Sequence, residues 1–372
     1  MSGAVVFFTV FTLVYGAMGW LVYRLAAAAL APQGVWRLGL TVWFVGMTLA
    51  PVLGGMLGYR TGVWAGITYV WLGFIFYMFL FGLMLAALKP FFSIQGFRFA
   101  FVLATAAAVA VCGWGWYNAR TIVLREVVLP APSLPAEAPE VRIAALSDVH
   151  LYSVEAEDRV ERILAALAPV QYDMLVSLGD FVEADVHRAE WQPLAARFAS
   201  LRPRLGKYAI RGNHEAYADL ASQSDIAERF LQAGGFVVLN DLALDIQDTL
   251  RLVGFDHVGY LPVNGSTRAD LLPAAGSQHP RPVVVLKHMP DLEPGSLGRF
   301  DLQLSGHTHA GQLWPFYYLA KMRFPYVWGL YDLGQGRRLY TAPGTSVWGP
   351  PLRVGSPSEI TLIRLVRNVA AD

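Results

Sequence analysis

The sequence predicts a membrane domain of four helices followed by an α/β domain, and two observations carry this prediction. The 372 residues are 55% hydrophobic and 15% charged, which is far more apolar than a soluble domain. Residues 1–120 contain no Asp or Glu and only six basic residues, whereas residues 121–372 contain 23 basic and 28 acidic residues. The net charge of +1 therefore describes neither part of the chain. This composition argues against a disordered chain or a basic nucleic-acid binder, and the single cysteine, Cys112, excludes a disulfide scaffold.

The first third of the chain has four apolar stretches long enough to cross a bilayer. A helix needs about 20 apolar residues to span the hydrocarbon core, and the stretches cover 4–25, 38–57, 63–88 and 99–117. No ionisable side chain lies in the middle of a stretch, so the sequence indicates no ion or proton path. We predict a transmembrane domain over 1–120. Aromatic and basic anchors mark the ends of its helices: Trp20, Tyr23, Arg24, Trp36, Arg37, Trp114, Trp116 and Tyr117.

The loop charges predict on which side of the cell membrane the C-terminal domain of this multi-pass protein lies. An even number of spans puts both termini on one side, and the loops on the opposite side carry four basic residues against three on the side of the termini. The positive-inside rule then places the domain after the helices outside the cytoplasm. The residues counted are Arg24, Arg37, Lys89 and Arg98 on one side, and Arg60, Arg120 and Arg125 on the other.

The rest of the chain predicts a linker over 121–140 and an α/β domain over 141–367. Residues 127–140 are rich in Pro and Ala and favour an extended connector. After them, aliphatic and β-branched runs alternate with helical patterns at 158–168 and 219–233, which is typical of an α/β fold. The predicted strands are 141–146, 174–178, 207–210, 237–239, 251–253, 283–286 and 302–304.

Five of the predicted strands end in residue types that ligate metals. Polar ligands gathered at the carboxyl ends of strands are where an α/β sheet places its site. The segments, in chain order, are SDVH with Asp148 and His150, GD with Asp180, GNHE with Asn213, His214 and Glu215, KH with His288, and GHTHAGQ with His307 and His309.

The spacing of these residues suggests how they converge. Residues i and i+2 of an extended segment point the same way, so Asp148 and His150 can reach one ion together, and His307 and His309 can do so if their segment is extended. Carboxylate, imidazole and amide ligands favour Mn, Fe or Zn over Ca or Mg. Glycines at 179, 212 and 306 permit tight turns beside the ligands.

The order of these motifs resembles the calcineurin-like metallophosphoesterases, whose signature is Asp-x-His, Gly-Asp, Gly-Asn-His-Glu/Asp, a later His, and Gly-His-x-His. The resemblance covers about 141–365 and implies a sandwich of mixed β-sheets flanked by helices. Within the superfamily the chain looks most like the membrane-linked branch that includes bacterial phosphodiesterases and UDP-2,3-diacylglucosamine pyrophosphatases. Ala310 departs from the commoner Gly of that branch, beside the ligands and not on them.

The resemblance implies a site with two divalent transition-metal ions. It implies that Asp180 bridges both ions, which activate a shared water as hydroxide for in-line attack on the phosphoryl group. It further implies that His214 faces the substrate, stabilising charge or protonating the leaving oxygen, and that Glu215 orients a ligand or His214. The implied ligands are Asp148, His150 and His309 for one ion, and Asn213, His288 and His307 for the other.

Other residues give weaker signals. His187, His257 and His279 match no ligand motif and are interpreted as surface or loop histidines, and Asp256 as a turn residue. The aromatic stretch 313–331, which contains Lys321 and Arg323, fits either ordinary packing or an amphipathic surface at lipid headgroups.

Together these features predict a membrane-bound, metal-dependent phosphohydrolase. The expected bond is a phosphodiester or pyrophosphate in a lipid or lipid-linked nucleotide, and the expected partner is the lipid bilayer and not nucleic acid. Two alternatives stay open: a phosphodiesterase acting on a soluble nucleotide, and a membrane scaffold or sensor with a catalytically degenerate domain. The sequence identifies no protein partner.

Overall fold

The computed structural model describes residues 3–56, 62–152, 155–183, 190–222, 225–257, 268–274 and 279–367. It divides the chain into two compact units. The helical unit comprises Met1–Tyr117 with Gly349–Leu352, and the catalytic unit comprises Asn118–Trp348 with Arg353–Asp372.

The helical unit confirms the predicted apolar helices. Within the described residues, Thr9–Leu30, Gly66–Phe91 and Ile94–Arg120 are long and apolar enough to cross a membrane, and a shorter apolar helix covers Val35–Pro51. Side chains such as Trp36, 78% exposed, turn outward from these helices, as expected where lipid replaces water around a helix. The four helices are α1 (Gly3–Leu30), α2 (Val35–Met56), α3 (Gly62–Leu88) and α4 (Ile94–Arg120), with a 3-10 turn at Lys89–Phe91.

The catalytic unit is built on two six-stranded sheets. In chain order its strands are β1 (Ile122–Pro130), β2 (Glu140–Leu146), β3 (Met174–Ser177), β4 (Lys207–Ala209), β5 (Val237–Val238), β6 (Leu242–Ile246), β7 (Leu250–Phe255), β8 (Val283–Lys287), β9 (Leu302–Ser305), β10 (Gly329–Gly334), β11 (Arg337–Thr341) and β12 (Ser358–Val366). The helices are α5 (Ala156–Leu167), α6 (Trp191–Ala199), α7 (Asn213–Ser222), α8 (Ile226–Ala233) and α9 (Phe316–Arg323), with 3-10 turns at Arg268–Leu271 and His309–Gly311.

Each sheet has a parallel centre. The first sheet runs β1-β12-β2-β3-β4-β5, and β2 to β5 are parallel neighbours, while β12 is antiparallel to β2. The second sheet runs β10-β11-β9-β8-β7-β6, with antiparallel pairs only at its two edges. Parallel neighbours bring their carboxyl ends to one edge of a sheet, and in both sheets this edge carries the predicted ligands.

Three apolar layers hold the unit together. The inner faces of the two sheets pack on each other through residues such as Ile143, Val176 and Leu286, all fully buried. The outer face of the first sheet is covered by α5, α6 and α8, and the outer face of the second sheet packs around Phe255 and Phe300. The predicted sandwich of mixed sheets flanked by helices is therefore confirmed.

Several elements differ from the sequence prediction. The strands β6, β10, β11 and β12 and the helices α6 and α9 were not predicted, and two predicted segments have a different structure. The predicted linker over 121–140 begins with a strand: Ile122–Pro130 forms β1 and pairs in parallel with β12. The aliphatic residues of this stretch fit a strand, since the Pro-rich part starts only at Pro130. The helix predicted over 219–233 is two helices, α7 and α8, and α7 starts at Asn213, within the ligand motif itself.

Candidate metal centre and active site

The predicted ligands lie in the loops that follow five parallel strands. Asp148 follows β2, Asp180 follows β3 and Asn213 opens α7 after β4 in the first sheet. His288 directly follows β8 and His307 follows β9 in the second sheet. The carboxyl ends of both sheets thus contribute ligands to one place.

The backbone at the ligands is left-handed and not extended. Positive φ angles occur at Asp148 (51°), His150 (48°), Asp180 (54°), His307 (71°) and His309 (50°). Asp148 and His150 do lie in one ligand group, as expected, but both follow the end of β2 and are not part of an extended segment. Non-glycine residues seldom adopt this conformation, and it clusters at functional sites where the surroundings impose it.

Two glycines leave room for these turns. A Cβ at Gly212 would lie 2.7 Å from the main-chain nitrogen of Asp180 and would overlap the Asp180 carboxylate. A Cβ at Gly179, where φ is 93°, would lie 2.8 Å from Nδ1 of His288. A side chain at either position would therefore displace a ligand.

The first ligand group contains Asp148, His150 and His309. Their ligand atoms lie within 4.8 Å of one another. Nε2 of His150 is 3.0 Å from Nε2 of His309, which is 3.4 Å from Oδ1 of Asp148. Asp148 and His150 are completely buried. Burial lowers the pKa of His309 well below its usual range, so its imidazole is neutral and has a lone pair for a cation.

The second ligand group contains Asp180, His288 and His307. Nε2 of His288 lies 3.1 Å from Oδ2 of Asp180 and 3.2 Å from Nδ1 of His307. Burial lowers the pKa of His307 to about 3, with a further contribution from the charge of His288. Burial also opposes charge on His288, but the carboxylate of Asp180 outweighs it and raises the pKa of His288 to about 10. A divalent cation bound there would replace a proton on His288.

Asn213 is the remaining residue of the predicted ligand set. Its Oδ1 atom is buried and has no hydrogen-bond partner among the described residues. An unpaired buried amide oxygen is costly unless a ligand satisfies it. Oxygen, carboxylate and imidazole donors at these two groups fit divalent first-row ions, so the residues present suit a centre of two such ions. His307 and His309 fall in different groups, and their segment is not extended, so the condition for both to reach one ion is not met.

Glu215 contacts backbone and not a ligand side chain. Its Oε2 accepts hydrogen bonds of 2.8 Å from the main-chain N–H groups of Asp180 and Gly212, and its Oε1 accepts from Phe181 and Val182. The fully buried carboxylate therefore fixes the turn that carries Asp180.

Glu183 is a site residue that the sequence analysis missed. Its Oε1 accepts hydrogen bonds from Nδ1 of His150 at 2.6 Å and from Nδ1 of His214 at 2.9 Å. Burial would raise the pKa of Glu183, but these two hydrogen bonds lower it to about 2. With Nδ1–H of His150 donated to Glu183, Nε2 is the atom left to bind an ion.

His214 is held through its Nδ1 by Glu183. Burial would lower its pKa, but the hydrogen bond and charge of Glu183 raise the pKa to about 9, so the imidazole is protonated at neutral pH. Its Nε2 lies 4.0 Å from Oδ2 of Asp180, beside the ligand groups.

Two half-exposed aromatic rings flank His214. The ring of Tyr217 lies 5.6 Å from the imidazole and that of Trp348 lies 5.8 Å from it. The side-chain amide of Gln312 holds Trp348 through two main-chain hydrogen bonds of 2.9 and 3.0 Å. The last residue of the GHTHAGQ motif thus positions a ring beside His214.

Two buried arginines brace the ligand loops. Arg353 is fully buried and donates to the carbonyl oxygens of His309 and Pro343, among others. Arg159 donates to the carbonyl oxygens of His150 and Val347. Arg159 belongs to no motif that the sequence analysis singled out.

The three remaining histidines and Asp256 have different surroundings in the structure. His187 lies outside the described residues. His279 hydrogen-bonds locally with the main chain of Arg281, and the carboxylate of Asp256 is paired with Arg211. His257 is nearer to the centre than expected, because its ring lies 6.0 Å from that of His288.

Comparison with known proteins agrees with this site. The family profile described as "Calcineurin-like phosphoesterase" matches residues 141–311. An uncharacterized metallophosphoesterase of Aquifex aeolicus is 31% identical over 261 residues, which cover 69% of this chain and 97% of that protein. An uncharacterized metallophosphoesterase of Campylobacter jejuni is 32% identical over 66% of this chain and 64% of its own length.

The name of a third relative describes it as a transmembrane protein. The "Transmembrane protein with metallophosphoesterase domain" of Danio rerio is 30% identical over 279 residues, or 71% of this chain and 62% of that protein. This chain therefore spans nearly all of the Aquifex relative and less than two thirds of the other two. With the ligand groups at the strand ends, these matches show that the chain belongs to the calcineurin-like metallophosphoesterases, which are metal-dependent phosphoester hydrolases.

Proposed function

We propose that this protein is a multi-pass membrane phosphohydrolase that cleaves a phosphodiester or pyrophosphate bond in a lipid or lipid-linked nucleotide. The observation that carries the hydrolase assignment is the pair of adjacent ligand groups, Asp148, His150 and His309 beside Asp180, His288 and His307. The apolar helices of the N-terminal unit support a membrane-resident substrate.

The ligand groups would hold two divalent ions, for which Mn, Fe and Zn are the candidates. Asp148, His150 and His309 would hold one ion, Asn213, His288 and His307 the other, and Asp180 both. When bound, two such ions supply Lewis-acid polarisation of the phosphoryl oxygens and acidify water. The buried Asn213 Oδ1 without a partner among the described residues supports this assignment.

His214 would act on the leaving group. Glu183 holds its Nδ1–H, so Nε2, on the side of the ligand groups, carries the proton that can move. A protonated imidazole there can donate to the leaving oxygen or stabilise charge on the phosphoryl group. Glu183 would act as a positioning residue for His214 and His150, and Glu215 for the loop of Asp180.

One observation favours a soluble nucleotide as a second substrate class. The exposed rings of Tyr217 and Trp348 flank His214, where a flat leaving group could stack. Turnover of a lipid phosphodiester and of a water-soluble nucleotide diester by the same preparation separates the two classes.

The loop charges support a site outside the cytoplasm, with four basic residues in the opposite loops against three on the side of the termini. A reporter enzyme fused to the C-terminus tests this orientation. We expect activity from a reporter that works only outside the cytoplasm, and activity from a cytoplasmic reporter would overturn the orientation.

The hydrolase assignment is tested with the full chain in detergent and an aryl phosphodiester. Asp180→Ala and His307→Ala should abolish turnover, while His279→Ala, a histidine remote from both ligand groups, should retain it. Unchanged turnover in the two ligand variants would overturn the assignment. If the purified protein binds its full complement of ions but hydrolyses no phosphoester, the scaffold alternative is favoured. A separate experiment identifies the substrate: a phosphorylated lipid that accumulates in cells lacking the protein.

A further inference from the structure

The short helix α9 has its apolar side chains on the outside. It covers Phe316–Arg323, directly after the ligand loop, and buries none of its residues. Met322 is 84% exposed, Tyr318 61% and Leu319 56%. These exposures exclude ordinary core packing for α9, one of the two interpretations of the aromatic stretch.

The exposed apolar side chains share one side of the helix with Arg323. At 100° per residue, Phe316, Tyr318, Leu319 and Met322 fall on an arc of about 160°. A surface helix of a soluble domain normally turns such a stripe toward the core and its charges toward water. α9 turns no stripe toward the core, and of its two exposed cations Arg323 lies within the apolar arc and Lys321 beside it.

This face is concentrated and adjoins the metal centre. Counting Trp314, five exposed large apolar side chains occur within nine consecutive residues, 314–322. At the other end of the helix the ring of Phe324 lies 5.2 Å from that of His307, and the guanidinium of Arg323 lies 5.2 Å from the Phe324 ring. Whatever covers α9 is therefore close to the ligand groups.

We propose that α9 is an interfacial helix through which the catalytic unit docks on a lipid bilayer. The apolar arc would enter the boundary between headgroups and acyl chains, and Lys321 and Arg323 would contact anionic headgroup phosphates. The occupant is a bilayer and not a protein groove, because aromatic and basic side chains together match the membrane interface. In addition, the described part of this chain contains three helices long and apolar enough to span a membrane. This inference rests on the proposed function, because it assumes that the substrate is a lipid in the membrane.

A spin label tests the docking without any activity. In a Cys112→Ala background the full chain carries Met322→Cys, labelled with a nitroxide and reconstituted in nanodiscs containing anionic lipid. Leu297→Cys, 58% exposed in a turn of the same unit, is the matched control. We expect the label at 322 to be accessible to oxygen and shielded from a water-soluble nickel complex, and the label at 297 to show the reverse. Equal nickel accessibility at both positions would overturn the proposal.

Turnover of two substrates gives the second test. Leu319→Asp with Met322→Asp should lower turnover of a phosphodiester lipid embedded in nanodiscs at least tenfold and leave a water-soluble aryl phosphodiester unchanged. Leu297→Asp should change neither. Equal loss on both substrates would overturn the docking role, because it would mean that α9 supports the fold or the reacting groups. If the wild-type chain hydrolyses neither substrate, the proposed function fails, and the spin label still decides the docking.

Discussion

Glu183 lies 2.9 Å from Nδ1 of His214, and this contact gives the proposed proton donor its charge. Glu183→Gln keeps an acceptor oxygen but removes the negative charge. Because Glu183 raises the pKa of His214, its loss should lower that pKa, so that the protonated imidazole is lost at lower pH. We expect the alkaline limb of the kcat profile to move toward lower pH, and kcat at pH 8 to fall about tenfold or more.

The matched control for this variant is Glu157→Gln, an exposed carboxylate in the first turn of α5. Its profile should equal that of the wild type. A Glu183→Gln enzyme with lower kcat but an unmoved alkaline limb would refute the link between Glu183 and the charge of His214.

Gln312 and Trp348 should behave as one unit in substrate binding. Gln312→Ala removes two hydrogen bonds to the main chain of Trp348, worth on the order of 1–2 kcal/mol together. We expect a several-fold rise in KM for an aryl phosphodiester in Gln312→Ala and in Trp348→Ala. The double variant should resemble Trp348→Ala, because residues in contact are not additive. Gln232→Ala, at an exposed position of α8, is the control. Additive effects of the two substitutions would contradict a shared role.

Gly212→Ala should disrupt the ligand loop. The new methyl group would press on the main chain and carboxylate of Asp180, and overpacking of this kind costs about 1–3 kcal/mol. Thermal unfolding should begin at a lower temperature and turnover should fall sharply. Gly39→Ala, where a Cβ meets no atom within 4 Å, should leave both unchanged. Wild-type turnover in Gly212→Ala would show that the close approach is not required.

Removal of metal should destabilise the catalytic unit. Ions that bind only the folded chain stabilise it by about 2.7 kcal/mol at one hundred times their Kd. A chelator should therefore lower the Tm of the wild type and of His279→Ala by several degrees, with recovery on adding Mn²⁺ or Zn²⁺. The Tm of Asp180→Ala should respond much less. A chelator response as large in Asp180→Ala as in the wild type would place the ions elsewhere.

The positions of the ligands could be predicted because they follow hydrophobic runs that the sequence displays plainly. β2, β3, β4, β8 and β9 all lie where the aliphatic patterns placed them, and parallel neighbours bring their ends together. The path of the chain beyond each strand could not be predicted. The left-handed turns at residues such as Asp148 and His309 are imposed by surrounding contacts and have no signal in local propensity.

The supporting residues were missed for a related reason. Glu183 lies three residues after Asp180, and a single carboxylate at that spacing is unremarkable until the fold sets two histidines beside it. Trp348 and Arg353 come from the C-terminal part of the chain, more than 35 residues beyond the last ligand motif. Their role depends on tertiary contacts with Gln312 and His309, which a single sequence does not display.

The central claim is a two-ion centre that hydrolyses phosphodiesters, and a metal titration tests it most directly. Full-length protein stripped of metal is titrated with Mn²⁺ or Zn²⁺ while bound ions per chain and turnover of an aryl phosphodiester are measured on the same samples. We predict saturation at two ions per chain, with turnover rising as the second ion binds, and fewer than two ions with no turnover in Asp180→Ala. Turnover by the stripped protein, or an Asp180→Ala variant that binds two ions and stays active, would contradict the account.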